Sequence, residues 1–75
     1  MSKRDPLLTT FGQNVRQSRE AKQLTQEKLA ELSGLDPTYI SGIERGVRNP
    51  GIKNVVRIAT ALDLTVSELC RGVEA

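Results

Sequence analysis

Histidine and tryptophan are absent from this 75-residue sequence, and cysteine occurs once, as Cys70. Without histidine or a second cysteine there is no nucleophile–base pair and no Cys/His metal set, and neither a glycine-rich phosphate loop nor a metal-holding acidic cluster takes their place. The acids that catalysis would use, Asp36, Glu44 and Asp63, are each accounted for by capping or pairing. The sequence is therefore expected to encode no enzyme and to need no cofactor. A lone cysteine makes no intrachain disulfide, which fits a reducing compartment. No apolar run approaches the roughly 18 residues of a membrane span, and the apolar stretch of a signal peptide is missing from the start. The expectation is a soluble cytoplasmic protein that makes no use of a membrane. Phe11 and Tyr39 are the only aromatics, and no Thr/Val/Tyr alternation of strand type occurs.

What remains is a palette of Leu, Ile, Val and Ala, which suits helices packed on helices. A chain of this length buries only roughly 60% of the surface its unfolded form exposes. That is enough for one domain over residues 1–75, with little room for an enclosed cleft. The formal net charge is +2 and the sequence pI about 9.0. The distribution of charge says more than the total. From Arg45 to Arg57 there are four cations (Arg45, Arg48, Lys53 and Arg57) and no acid, a one-signed stretch that suits a polyanion.

Five helices are predicted. Residues 1–5 are expected to be mobile, up to a start at Asp5-Pro6 with Asp5 as N-cap and Pro6 at the first helical position. Leu8, Phe11 and Val15 keep helical spacing, and the helix should end near Lys22. Gly12 inside it costs about 1 kcal/mol against Ala and marks a close approach of another helix. Thr25 caps the second helix, whose buried side is Leu29, Ala30, Leu32 and Ser33. Gly34 ends it in a left-handed turn, after which Leu35 enters the core. Asp36-Pro37 starts the third helix, with Ile40 and Ile43 inward, Thr38, Ser41, Gly42 and Arg45 outward, and Gly46 closing it. A fourth helix over Ile52 to Leu62 buries Ile52, Val55, Val56, Ile58, Ala59 and Leu62. Thr65-Val66-Ser67-Glu68 spells a capping box that opens a last helix holding Val66, Leu69, Cys70 and Val73. The fold class is an all-α, compact five-helix bundle.

From Thr25 to Asn49 the sequence resembles the phage-repressor (XRE-like, Cro/repressor-type) helix-turn-helix family. The resemblance lies in Gln26 opening the motif, Leu29-Ala30, Gly34 at the turn, Leu35, Ile40, Ile43 and Glu44-Arg45-Gly46. It extends from Phe11 to about Leu69. The segment LDPTYISGIERGVRNPGIKNVVRIATAL is most similar to the small controller proteins of restriction–modification systems. What the resemblance implies is a transcriptional regulator that binds double-stranded DNA with its third helix in the major groove. Arg19 and Glu44 stand where the family pairs an Arg and a Glu, implying a structural ion pair. Controller proteins often carry an Arg at the position of Pro37, and proline donates no hydrogen bond, so guanine recognition from that position is lost.

On that reading Pro37, Thr38, Ser41, Gly42 and Arg45 are the candidate base contacts, with Gly42 letting the helix sit closer to DNA. Ser and Thr hydroxyls donate or accept at base edges, and Pro37 offers an apolar contact to a thymine methyl. Gln26, Tyr39, Arg48, Asn49 and Lys53 are the candidate phosphate contacts, the last three at a helix N-terminus whose free N–H groups attract phosphate. The alternative for Tyr39 is to fill a gap beside the second helix, and the resemblance implies that Gln26 also stiffens the third helix. Leu64, Val66, Leu69, Cys70 and Val73 form a candidate homodimer surface, which would serve a palindromic operator. Their alternative is membership of the core. No small-molecule effector is expected. Activation would require a contact with RNA polymerase, and activator, repressor and concentration switch stay open, as does an antitoxin or adaptor that uses the same fold to bind protein.

Overall fold

The computed structural model describes residues 5–74. It contains α1 (Pro6–Ala21), α2 (Gln26–Ser33), α3 (Pro37–Glu44), α4 (Ile52–Ala61) and α5 (Val66–Leu69), with no strand among the described residues. The all-helical expectation is met. The mobility expected of residues 1–4 lies outside the described residues, whereas Asp5 is a working cap: its carboxylate accepts from the Leu7 N–H at 2.9 Å. α1 therefore begins at the expected Asp5-Pro6 start.

The other N-termini are built in the same local way. Thr25 Oγ1 accepts from the Lys28 N–H at 3.0 Å, and Asp36 accepts from the Thr38 N–H at 2.8 Å. Thr65 and Glu68 cap each other reciprocally. Each bond satisfies one of the N–H groups that a helix leaves without an internal partner. α4 alone starts without a side-chain cap, at Gly51.

Two helix ends share a device that contains no glycine. After α1 the chain reads Lys22-Gln23-Leu24-Thr25, and after α4 it reads Leu62-Asp63-Leu64-Thr65. Gln23 and Asp63 take left-handed φ values of 59° and 57°. The following leucine N–H then returns to the helix, Leu24 to the Arg19 carbonyl at 3.1 Å and Leu64 to the Ala59 carbonyl at 2.9 Å. A left-handed non-glycine residue costs roughly 1–2 kcal/mol. That cost is offset by the closing hydrogen bonds and by the leucine that each turn tucks against the core. The two turns are also joined, Lys22 Nζ lying 3.4 Å from Asp63 Oδ2.

Val15, Leu29, Ile40, Ile43, Ile58, Leu62 and Leu69 are fully buried and, with Phe11, Ala30, Val55 and Ala59, make one core. Each large aliphatic contributes about 1.5–3 kcal/mol of burial. α3 packs on α1 and α2, and α4 on α2 and α5. Gly12 is where α1 meets the end of α3. A β-carbon there would collide with the Ile43 carbonyl oxygen and stand 2.8 Å from that of Glu44.

Three residues expected inside are outside. Leu32 is 51% exposed, Ile52 68% and Val56 45%. Successive helical residues step by about 100°, which puts Leu32 outside the arc of Leu29, Ala30 and Ser33 and Val56 outside that of Val55, Ile58 and Ala59. Ile52 is the first residue of α4, ahead of the buried set that begins at Val55. α5 is also shorter than expected, so Val73 follows the helix instead of belonging to it.

Candidate nucleic-acid interface

The inner side of α3 is tied down by a polar cluster as well as by Ile40 and Ile43. Arg19 Nε donates to Glu44 Oε2 at 2.7 Å and Arg19 Nη2 to Oε1 at 3.0 Å. The third guanidinium nitrogen, Nη1, donates to the Leu24 carbonyl at 2.7 Å. The Glu44 side chain is 3% exposed and that of Arg19 11%. The hydrogen bonds it donates to Glu44 hold the guanidinium above its ordinary pKa, against the burial that pulls it down. A buried pair of this kind is tolerated because each charge satisfies the other, and here it joins α1 to the last residue of α3.

Gln26 is the third member of the cluster. Its Nε2 donates to Glu44 Oε1 at 3.0 Å, so the first residue of α2 is anchored to the last of α3. An amide nitrogen carries two hydrogens, and a phosphate contact from Gln26 rests on the one that Glu44 leaves. The resemblance implies that Gln26 also stiffens the third helix, and this inward bond to Glu44 is a contact that does so.

With its inner side committed, α3 turns Pro37, Thr38 and Arg45 to solvent, with Ser41 half-buried beside them. Arg45 Nε donates to Ser41 Oγ at 3.4 Å, a long bond that holds the guanidinium loosely along the helix. Gly42 does not match its expected role as bare, approachable backbone. It is buried, because the stem of Arg48 lies over it, with Arg48 Cγ 2.6 Å from the place a β-carbon would occupy.

Tyr39 is half-buried at the α3–α4 junction, where its Oη accepts from Asn54 Nδ2 at 3.2 Å. The hydroxyl proton stays available for an outside acceptor. Asn54 was not singled out from the sequence, and only its polarity on an otherwise apolar helix face hinted at it. Arg48, Asn49 and Lys53 are exposed, on the loop before α4 and on its first turn. Together with the uncapped N-terminus of α4 they form a basic rim beside the polar face of α3.

The residues expected at a dimer surface divide. Leu69 is fully buried and belongs to the core: it is the last residue of a four-residue helix and the only buried one, so it anchors α5. Leu64, Val66, Cys70 and Val73 are half-buried and packed against that core, each leaving part of its surface uncovered. Among the described residues, no three His, Cys, Asp or Glu side chains stand together as metal ligands, and no helix is long and apolar enough to cross a membrane.

Two short helices joined by a Gly34 turn, the second with a locked inner side and a free polar outer face, define a helix-turn-helix protein. A helix-turn-helix family profile matches residues 15–69. The chain is 48% identical over 60 residues to the control protein C.BamHI of Bacillus amyloliquefaciens, an alignment covering 79% of this chain and 74% of the relative. It shares 53% identity and a TM-score of 0.81 with the crystal structure of the restriction–modification controller protein C.AhdI from Aeromonas hydrophila, covering 83% of this chain and 94% of that one. The TM-score is 0.75, at 35% identity and 79% and 95% coverage, with SinR, a master regulator for biofilm formation solved in complex with DNA. The chain also matches the uncharacterized HTH-type transcriptional regulator y4dL of Sinorhizobium fredii, 44% identical over 54 residues, and spans 28% of that protein's length. The chain belongs to the helix-turn-helix family, as a transcriptional regulator of the restriction–modification controller type.

Proposed function

We propose that this regulator lays α3 in the major groove of double-stranded DNA. The observation that carries the reading is the division of α3. Its inner side is locked by Ile40, Ile43 and the Arg19–Glu44–Gln26 cluster, while its outer side is polar, uncommitted and rimmed by cations. Thr38, Ser41 and Arg45 face base edges, and Pro37 offers only an apolar contact. Tyr39, Arg48, Asn49 and Lys53 meet phosphates, with the free N–H of Gln26. Phosphate contacts supply most of the affinity and make it fall with salt, whereas base contacts add about 1–3 kcal/mol each for good pairs.

So few base contacts make a modest code for one copy. A homodimer on a (pseudo)palindrome, with half-sites about 34 Å apart, multiplies it. The uncovered parts of Leu64, Val66, Cys70 and Val73 favour a second copy there. The regulated genes are then those of a restriction–modification operon, read in the cytoplasm where such DNA resides.

Two measurements test the reading. A gel shift with the promoter region upstream of the protein's own gene, at two salt concentrations, should give a specific band that weakens as salt rises. No specific band at any salt would overturn it in favour of a protein-binding adaptor. Sedimentation at tens of micromolar should show a dimer, and monomer alone would remove that part.

A further inference from the structure

We infer that Gly42 is the seat on which Arg48 is held against the outer face of α3, so that Gly42 acts on DNA binding through Arg48 and not through its own backbone. The inference rests on the DNA-binding reading above. It begins with the turn after α3. Gly46 takes a φ of +77°, and its N–H bonds to the Ile43 carbonyl at 3.0 Å. The Val47 N–H then reaches back to the Gly42 carbonyl at 3.0 Å. The chain is thereby folded back over α3, and the second residue after Gly46 is Arg48.

The side chain of Arg48 then fills the space that Gly42 leaves. A β-carbon at Gly42 would stand 2.6 Å from Arg48 Cγ, 3.4 Å from Nε and 3.5 Å from Cδ. Three consecutive atoms of one side chain thus lie along the helix. Gly42 is buried beneath them although Arg48 itself is exposed. This is how a long cationic side chain covers an apolar surface while keeping its head in water. Gly42 lies one helical step from the row of Thr38 and Arg45, so the guanidinium is delivered beside the residues that face the groove. An arginine already lying in place loses less rotamer freedom on binding than one that swings freely.

Substitution by alanine separates binding from folding. Ala is the better helix former, and the nearest atoms in the way belong to the Arg48 side chain, which can move into solvent. Gly42→Ala should therefore keep or raise the thermal midpoint while unseating Arg48.

The test uses four full-length proteins: wild type, Gly42→Ala, Arg48→Ala and the double variant. Nitrogen-15 relaxation of Arg48 Nε in the free protein should show an ordered group in wild type and a mobile one in Gly42→Ala. Equal mobility in both would overturn the seat, with or without DNA. Fluorescence anisotropy then uses a labelled duplex selected by wild type from a random pool. Gly42→Ala should bind on the order of tenfold more weakly. Arg48→Ala should bind at least as weakly, and the double variant like Arg48→Ala alone. Wild-type affinity for Gly42→Ala, or losses that add in the double variant, would overturn the inference. Failure of wild type to select any duplex would overturn the DNA-binding reading, and the inferred role with it, while the relaxation experiment still decides whether Gly42 seats Arg48.

Discussion

Removing the Arg19 side chain should strip most of the support from Glu44. The carboxylate accepts three hydrogen bonds, and two of them come from Arg19. In Arg19→Ala only the neutral amide of Gln26 is left to face a charge whose side chain is 3% exposed. The Leu24 carbonyl also loses its guanidinium donor. Breaking a buried pair by deleting one partner costs about 3–5 kcal/mol. The middle of that range, about 4 kcal/mol, is the expected loss. A domain of this size holds about 4–11 kcal/mol in all. At about 5 °C per kcal/mol the thermal midpoint, followed by circular dichroism, should fall by about 20 °C. Arg19→Met combined with Glu44→Leu removes both charges at similar volume and should recover most of the loss, since a buried pair replaced by packed apolar groups is often neutral. High salt should not imitate the single variant, because a buried pair is screened little. An Arg19→Ala midpoint within about 5 °C of wild type, or a double variant as unstable as the single one, would refute the reasoning.

Gly12→Ala sets a β-carbon against two backbone carbonyls of α3 that cannot swing aside. It should cost about 3 kcal/mol in urea denaturation even though Ala is the better helix former, and an unchanged midpoint would mean that the two helices are further apart. Gly34→Ala meets open space, so only its φ of +70° opposes the change. The loss should stay at about 1–2 kcal/mol, and a much larger one would expose a contact at this turn. The Thr65 backbone N–H and hydroxyl hold the Glu68 carboxyl below the usual glutamate range. Its contribution is therefore complete above the unfolded value of about 4.3 and is lost as pH falls through the lower folded value. Thermal midpoints measured over that acid window should change less steeply with pH in Glu68→Gln, and identical profiles would dismiss the capping carboxylate as a contributor. Leu69→Ala should cost about 2–5 kcal/mol as a core deletion in equilibrium unfolding. A stable variant with altered sedimentation would instead return Leu69 to the surface.

Most of the scaffold was legible because it is written in local chemistry. Asp5, Thr25, Asp36 and Thr65 cap helices through bonds to residues two or three positions on, and Gly34 and Gly46 turn the chain within one residue. The core positions of α3 also follow from spacing, since Ile40 and Ile43 share a face in any helix. The left-handed turns at Gln23 and Asp63 were not legible. Neither residue is glycine, and what stabilises the turns is the docking of Leu24 and Leu64, which depends on the packed bundle.

The interface divides along the same line. Residue type and spacing alone determine that a helix-turn-helix forms and that Thr38, Ser41 and Arg45 lie on one face of its second helix, because helical periodicity is a property of the backbone. Only the tertiary structure decides that Leu32, Ile52 and Val56 are exposed and that Leu69 is core, because burial depends on which neighbour covers a face. It also decides that Gln26 bonds inward to Glu44 and that Gly42 lies beneath Arg48. Those contacts join residues brought together by the crossing of helices and by the turn at Gly46. No pattern along the chain encodes the distance between side chains that meet in this way.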